Sequence, residues 1–72
     1  MLREIISKLK WKGEPARIEI IDRKSGIKII DVRKVTYVGK GHFNYGPDDT
    51  YIPFHRVKRI VKDGKVIWQR SR

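Results

Sequence analysis

Cysteine is absent from the 72-residue chain, which excludes disulfide staples, thiolate metal sites and thiol nucleophiles together. Acidic residues are scarce: eight Asp and Glu stand against eighteen Lys and Arg, a formal charge of +10. No apolar run approaches ~18 residues, so no helical membrane span and no membrane partner are expected. Nor does the N-terminus read as a signal peptide, because Arg3, Glu4, Lys8 and Lys10 interrupt its apolar positions. These absences point to a soluble, cytoplasmic protein. Asn44, Gln69 and Met1 are the sole residues of their kinds, beside eleven Ile, ten Lys and eight Arg. Many charges with few thermolabile side chains make the composition thermophile-like.

What is present suffices for one small domain over residues 1–72. Such a chain buries only ~60% of the surface its unfolded form exposes, and 39% apolar residues still permit a core. Leu2, Ile5, Ile6 and Leu9 fall at i, i+3, i+4 and i+7, which predicts a helix over about residues 2–11 that ends at Gly13 and Pro15. So short a helix must dock on a core to be stable.

From Ala16 the period changes to two, and a β-rich region is expected over about residues 16–70. Ala16, Ile18 and Ile20 alternate with Arg17 and Glu19. Arg23-Lys24-Ser25-Gly26 reads as a turn into Ile27–Ile30, and Val35–Val38 and His42–Tyr45 read as further short strands about Gly39-Lys40-Gly41. Gly46-Pro47-Asp48-Asp49 is a turn, and Thr50–Ile52 is extended because it precedes Pro53.

Asp63-Gly64 predicts a two-residue hairpin turn, which sets Val61 opposite Val66, Ile60 opposite Ile67 and Arg59 opposite Trp68. Neither face of that hairpin is cleanly apolar. Val57, Val61, Val66 and Trp68 share one with Arg59 and Arg70, while Ile60 and Ile67 share the other with polar residues. A bulge, or a helical turn through Pro53 to Val57, would re-aim the chain. The expected class is α+β: an N-terminal helix on a strongly curled antiparallel sheet, or an SH3/Sm-like barrel, of five to six short strands. No linker, internal repeat or low-complexity tract stands out.

The charge is unevenly placed. Residues 55–72 hold seven bases and one acid, so +6 of the +10 lies in the final quarter. Tyr45, Tyr51, Phe54 and Trp68 flank this run. Cations for phosphates beside aromatics for bases are the pattern of a nucleic-acid binder. Within it, Pro53 forces a bend, and His55 and Arg56 follow an aromatic on that bend. His55 can donate to a phosphate oxygen and Arg56 can grip one bidentately; equally, His55 can be structural, bonded to a carbonyl at the turn.

Other chemistry has less support. Gly39-Lys40-Gly41-His42 lacks the spacing and the Lys-Ser or Lys-Thr ending of a phosphate-binding loop. It reads as a strand turn from which Lys40 and His42 extend the basic surface. Asp48 and Asp49 find no third ligand for a magnesium ion, and His42 and His55 without cysteine fall short of a zinc set. No metal or cofactor is expected. As a catalytic alternative, a small RNase or cyclic phosphodiesterase would use His42 and His55 together, although neither is followed by the x-Thr or x-Ser of two-histidine phosphoesterases. A module for an acidic protein partner is the other alternative.

Tyr51-Ile52-Pro53-Phe54-His55-Arg56-Val57, followed by Ile60, Asp63-Gly64 and Trp68, resembles the archaeal RNA cyclic-group end recognition domain. The likeness covers Ala16 to Arg70. It implies a non-catalytic RNA-binding protein that recognises termini with a 2′,3′-cyclic or terminal phosphate, associated with RNA processing and its proteins. On this resemblance Ile52, Val57, Ile60 and Trp68 are core, and His55 and Arg56 read phosphate. Arg59, Lys40 and Arg70 are expected to add charge, Tyr51 a stacking surface, and His42 a flanking contact.

Overall fold

The computed structural model describes residues 2–70; Arg72, counted above in the basic final quarter, lies outside them. Helix α1 spans Leu2–Lys12 and buries Leu2, Ile6 and Leu9. Gly13, at φ 65°, ends it. Its N–H donates to Lys10 O at 3.1 Å and that of Glu14 to Leu9 O at 3.1 Å, which satisfies carbonyls the last turn leaves open.

Seven strands follow: β1 Ala16–Asp22, β2 Gly26–Asp31, β3 Val35–Val38, β4 His42–Tyr45, β5 Thr50–Pro53, β6 Val57–Lys62 and β7 Lys65–Gln69. All pair antiparallel. They form a four-stranded sheet, β2-β1-β6-β7, and a three-stranded sheet, β3-β4-β5. The α+β class stands, but the expected count of five to six strands is corrected to seven, and the two sheets are not closed into a barrel.

The division into two sheets has a local cause that occurs twice. Between β2 and β3, Val32–Lys34 form a 3-10 turn, and between β5 and β6, Phe54–Arg56 form another. Each begins from an extended residue, Asp31 or Pro53, and each closes with a bond from Val35 N–H to Val32 O or from Val57 N–H to Phe54 O. The sequences match in kind: Ile30-Asp31-Val32-Arg33-Lys34-Val35 and Ile52-Pro53-Phe54-His55-Arg56-Val57. This repeated corner bends the chain out of one sheet and into the other, a local repetition that the sequence reading did not separate out.

The ambiguous hairpin is resolved by both devices considered for it, the corner and bulges. Glu19 pairs with Arg59 and Ile20 with Val57, which leaves Lys58 as an extra residue on β6. Val57 and Ile60 therefore both face inward and are fully buried. On β7, Val61 pairs with Val66 as expected, but Ile60 pairs with Trp68 and Arg59 with Gln69, so the predicted partners of Ile60 and Arg59 are corrected by one residue. The bulged Ile67 is exposed, while Trp68 packs partly on the core. At the turn, Asp63 and Gly64 take φ of 53° and 78°, as the Asp-Gly pair predicts.

The core joins all layers: α1 with Ala16, Ile18 and Ile20 of β1, Val32 and Val35 at the first corner, Phe43 and Ile52 of the small sheet, and Val57 and Ile60 of β6. Burying each large side chain contributes ~1.5–3 kcal/mol, which positions the corners against a fixed base. No helix among the described residues is long and apolar enough to cross a membrane.

Candidate nucleic-acid interface

The second corner presents His55 exposed and Arg56 half-buried. Arg70 anchors it from behind. Its Nη2 donates to Phe54 O at 2.8 Å and its Nε to Val57 O at 3.1 Å, while its guanidinium lies 5.4 Å from the centre of the Trp68 ring. Two carbonyls of the turn are thereby satisfied and the backbone beneath His55 and Arg56 is held. His55 and Arg56 line an open groove with Ile21 and Arg23, which reaches the same place from the β1–β2 turn.

The two corners differ in charge, and the acid at the head of the first has no counterpart in the second. At the first, Asp31 accepts from Arg33 N–H at 2.8 Å and from Arg33 Nη2 at 2.9 Å. The Arg33 side chain, then its backbone N–H, hold the Asp31 carboxyl down at about 2, and the same pairing raises the Arg33 pKa. Pro53 stands where Asp31 stands, and it brings no acid. Arg56 and Arg23 have no acidic partner among the described residues; the nearby Asp22 carboxylate accepts from Ser25 Oγ at 2.8 Å. Two guanidiniums without an acidic partner among the described residues, and an imidazole, thus line one groove.

The small sheet carries Tyr37, Phe43, Tyr45 and Tyr51. His42 stacks on Tyr51 with ring centres 4.4 Å apart and planes at 23°, and Tyr37 approaches His42 at 5.7 Å. Phe43 and Ile52 alternate with them and point to the core. Lys40 lies exposed in the β3–β4 turn, which is tied to the corner by a 3.0 Å bond from Phe54 N–H to Gly41 O. Glycine at position 39 lets the rings pack close: an added Cβ would stand 2.7 Å from His42 Cε1 and 3.2 Å from Tyr37 Cε2, so one of the rings would have to shift.

Of the sequence-predicted residues, His55 and Arg56 therefore share the corner, and His42 and Tyr51 share the adjoining sheet, with Lys40 in its β3–β4 turn. Arg59 and Arg70 are engaged within the fold: Arg59 Nε donates to Glu19 Oε1 at 2.6 Å, and Arg70 holds the corner carbonyls. The histidines of the catalytic alternative have different surroundings, His42 among Tyr37 and Tyr51, His55 beside Ile21 and Arg23. Asp49 accepts from Thr36 Oγ1 at 2.6 Å across the small sheet.

Three residues went unread in the sequence. Arg23 is brought to His55 only by the β1–β6 pairing, for which no local spacing exists. Tyr37 shares parity with buried Val35, and a register shift between the two turns it outward. Trp11 falls off the apolar face of α1, a signal that was available; it is 89% exposed and lines a groove with Lys10 and Tyr37.

Fold and site together define a small basic α+β protein that places a basic corner beside an aromatic sheet face. The family model described as the MJ1316 RNA cyclic group end recognition domain matches residues 1–70. The chain belongs to that family, and the match takes in α1 as well as the region from Ala16 onward. Similar archaeal proteins include a UPF0248 protein of Thermococcus onnurineus, 34% identical with 94% of this chain and 83% of the relative covered. A UPF0248 protein of Metallosphaera sedula is 32% identical over 97% of this chain and 92% of its own length. One of Pyrobaculum calidifontis is 29% identical over 99% of each. No solved structure matches the chain.

Proposed function

We propose that the protein is a single-domain, non-catalytic RNA-binding module that recognises RNA termini bearing a terminal or 2′,3′-cyclic phosphate, with the His55–Arg56 corner as the reading point. The observation that carries this is the convergence of His55, Arg56 and Arg23 on one groove whose corner lacks the acid its twin possesses. A phosphate monoester or cyclic diester offers the acceptor oxygens that planar guanidiniums grip in pairs, and an imidazole adds a directional donor. Lys40, His42 and Tyr51 then contact the adjoining nucleotides, while Arg70 and Arg59 act by fixing the corner and β6. The family description, which names recognition of RNA cyclic group ends, supports the same reading.

Fluorescence anisotropy on RNAs of one sequence ending in 3′-hydroxyl, 3′-phosphate or 2′,3′-cyclic phosphate tests it. The phosphate-bearing ends are expected to bind more tightly, with Arg56→Ala and Arg23→Ala each removing most of the difference. Pro53→Asp, which installs at this corner the acid of the other, is expected to act in the same direction. Equal affinity for all three ends sinks end recognition, and binding that does not weaken with salt sinks charge-driven RNA binding altogether.

A further inference from the structure

Beyond the end group, the structure presents a row of rings, of which Tyr51 and the half-buried His42 adjoin the corner. Trp11 is 89% exposed, Tyr37 56% and Tyr51 61%. Tyr37, Asn44 and Tyr51 are direct cross-strand partners on β3, β4 and β5, so they share the outer face of the small sheet with His42, two residues before Asn44. The row runs from Trp11, which shares a groove with Tyr37, through Tyr37 against His42, to His42 stacked on Tyr51. Rings that could each add burial energy to the core are instead held outside it.

Charge selects the occupant. Lys10 lines the groove between Trp11 and Tyr37, and Lys40 rises from the turn beside His42; neither has an acidic partner among the described residues. Asp49, in the β4–β5 turn, is held by Thr36. The exposed aliphatic residues Ile21, Ile27 and Ile29 belong to the other sheet. Flat π-faces among cations suit a polyanion whose own flat groups are unpaired.

We infer that the Trp11–Tyr37–His42–Tyr51 row is a stacking platform for the unpaired bases of single-stranded RNA, so that the protein binds a single-stranded segment and not only its end. This rests on the reading of the protein as an RNA binder but not on end-group recognition. Duplex RNA keeps its base faces covered and cannot use the row.

The test uses short RNAs that all end in 3′-hydroxyl: a single strand, the same backbone without bases, and a blunt duplex. The single strand is expected to bind most tightly and to quench tryptophan fluorescence, with the quenching reduced in Trp11→Leu. Tyr37→Leu and Tyr51→Leu are each expected to weaken single-strand binding about five- to a hundredfold, while Tyr→Phe at either position retains it. Neither Leu variant should alter the weak binding of the base-free backbone. Equal affinity of the Leu variants and the wild type for the single strand, or equal binding of single strand and duplex, overturns the proposal. Because no probe carries a terminal phosphate, loss of end selectivity leaves these readouts in place, and loss of stacking leaves end selectivity measurable.

Discussion

Asp31 and Pro53 hold equivalent places in two copies of one corner, and each sets what its corner's cations are free to do. Asp31 caps its turn and neutralises Arg33, so its contribution should be visible as a pH dependence. Folding lowers the Asp31 pKa from its ordinary 3.8 to about 2, so on acidification the unfolded chain takes up the proton first. The stabilisation is therefore complete above about pH 4 and is lost as pH falls through about 2. Arg33 is largely exposed, and solvent screening leaves only a small contribution from the pair. Asp31→Asn keeps an oxygen for the cap and should lose only that contribution at neutral pH, with the difference from wild type vanishing near pH 2. Asp31→Ala should lose roughly a further 1 kcal/mol, by analogy with a helix N-cap. Urea denaturation of the three proteins across that range checks both statements; an Asn variant as stable as wild type at neutral pH would show the ion pair contributes nothing.

At the scale of elements, the β3–β4 turn controls the aromatic face through a single missing atom. Gly39→Ala drives a Cβ into the His42 and Tyr37 rings, whereas a Cβ on Gly41 meets nothing within 4 Å. Gly39→Ala is expected to shift the ring-current signals of both side chains and to weaken single-strand RNA binding, and Gly41→Ala to change neither, by NMR and anisotropy. The same contrast marks what sequence reading reaches. Elements stabilised by their own residues were legible: the helix from four apolar positions, and the β6–β7 turn from Asp63-Gly64. A bulge was foreseeable from the parity conflict of Val57, Ile60 and Trp68, but its placing at Lys58 and Ile67 was not, because only pairing with β1 and between β6 and β7 decides which residue is expelled. The corner was legible as a bend at Pro53, but its twin at Asp31 lacked any Pro to announce it. For the candidate site, His55 and Arg56 could be singled out because they are adjacent in sequence, while Arg23 meets them only through tertiary structure.

For the whole molecule, net charge of +10 is a poor guide to binding until the paired cations are set aside. Arg33, Arg59 and Lys62 are matched by Asp31, Glu19 and Glu14, and Lys62 lowers the Glu14 pKa through its hydrogen bond. Arg70 is directed at backbone carbonyls. The cations left at the corner and along the aromatic row are Arg23, Arg56, Lys40 and Lys10. If these four carry the RNA backbone, log K should fall with log salt at a slope near −3, at about 0.7 for each phosphate neutralised on a single strand. Arg56→Ala or Lys40→Ala should flatten that slope by about 0.7. Tyr51→Leu should lower affinity at every salt concentration and leave the slope unchanged, because stacking releases no counterions. Arg59→Ala should reduce folding stability, since Glu19 loses its partner, with little change in slope. A slope that responds equally to every lysine and arginine removed would mean a diffuse field around the whole protein rather than a tract from the helix to the corner. That outcome would contradict the localised reading even if affinity for RNA were high.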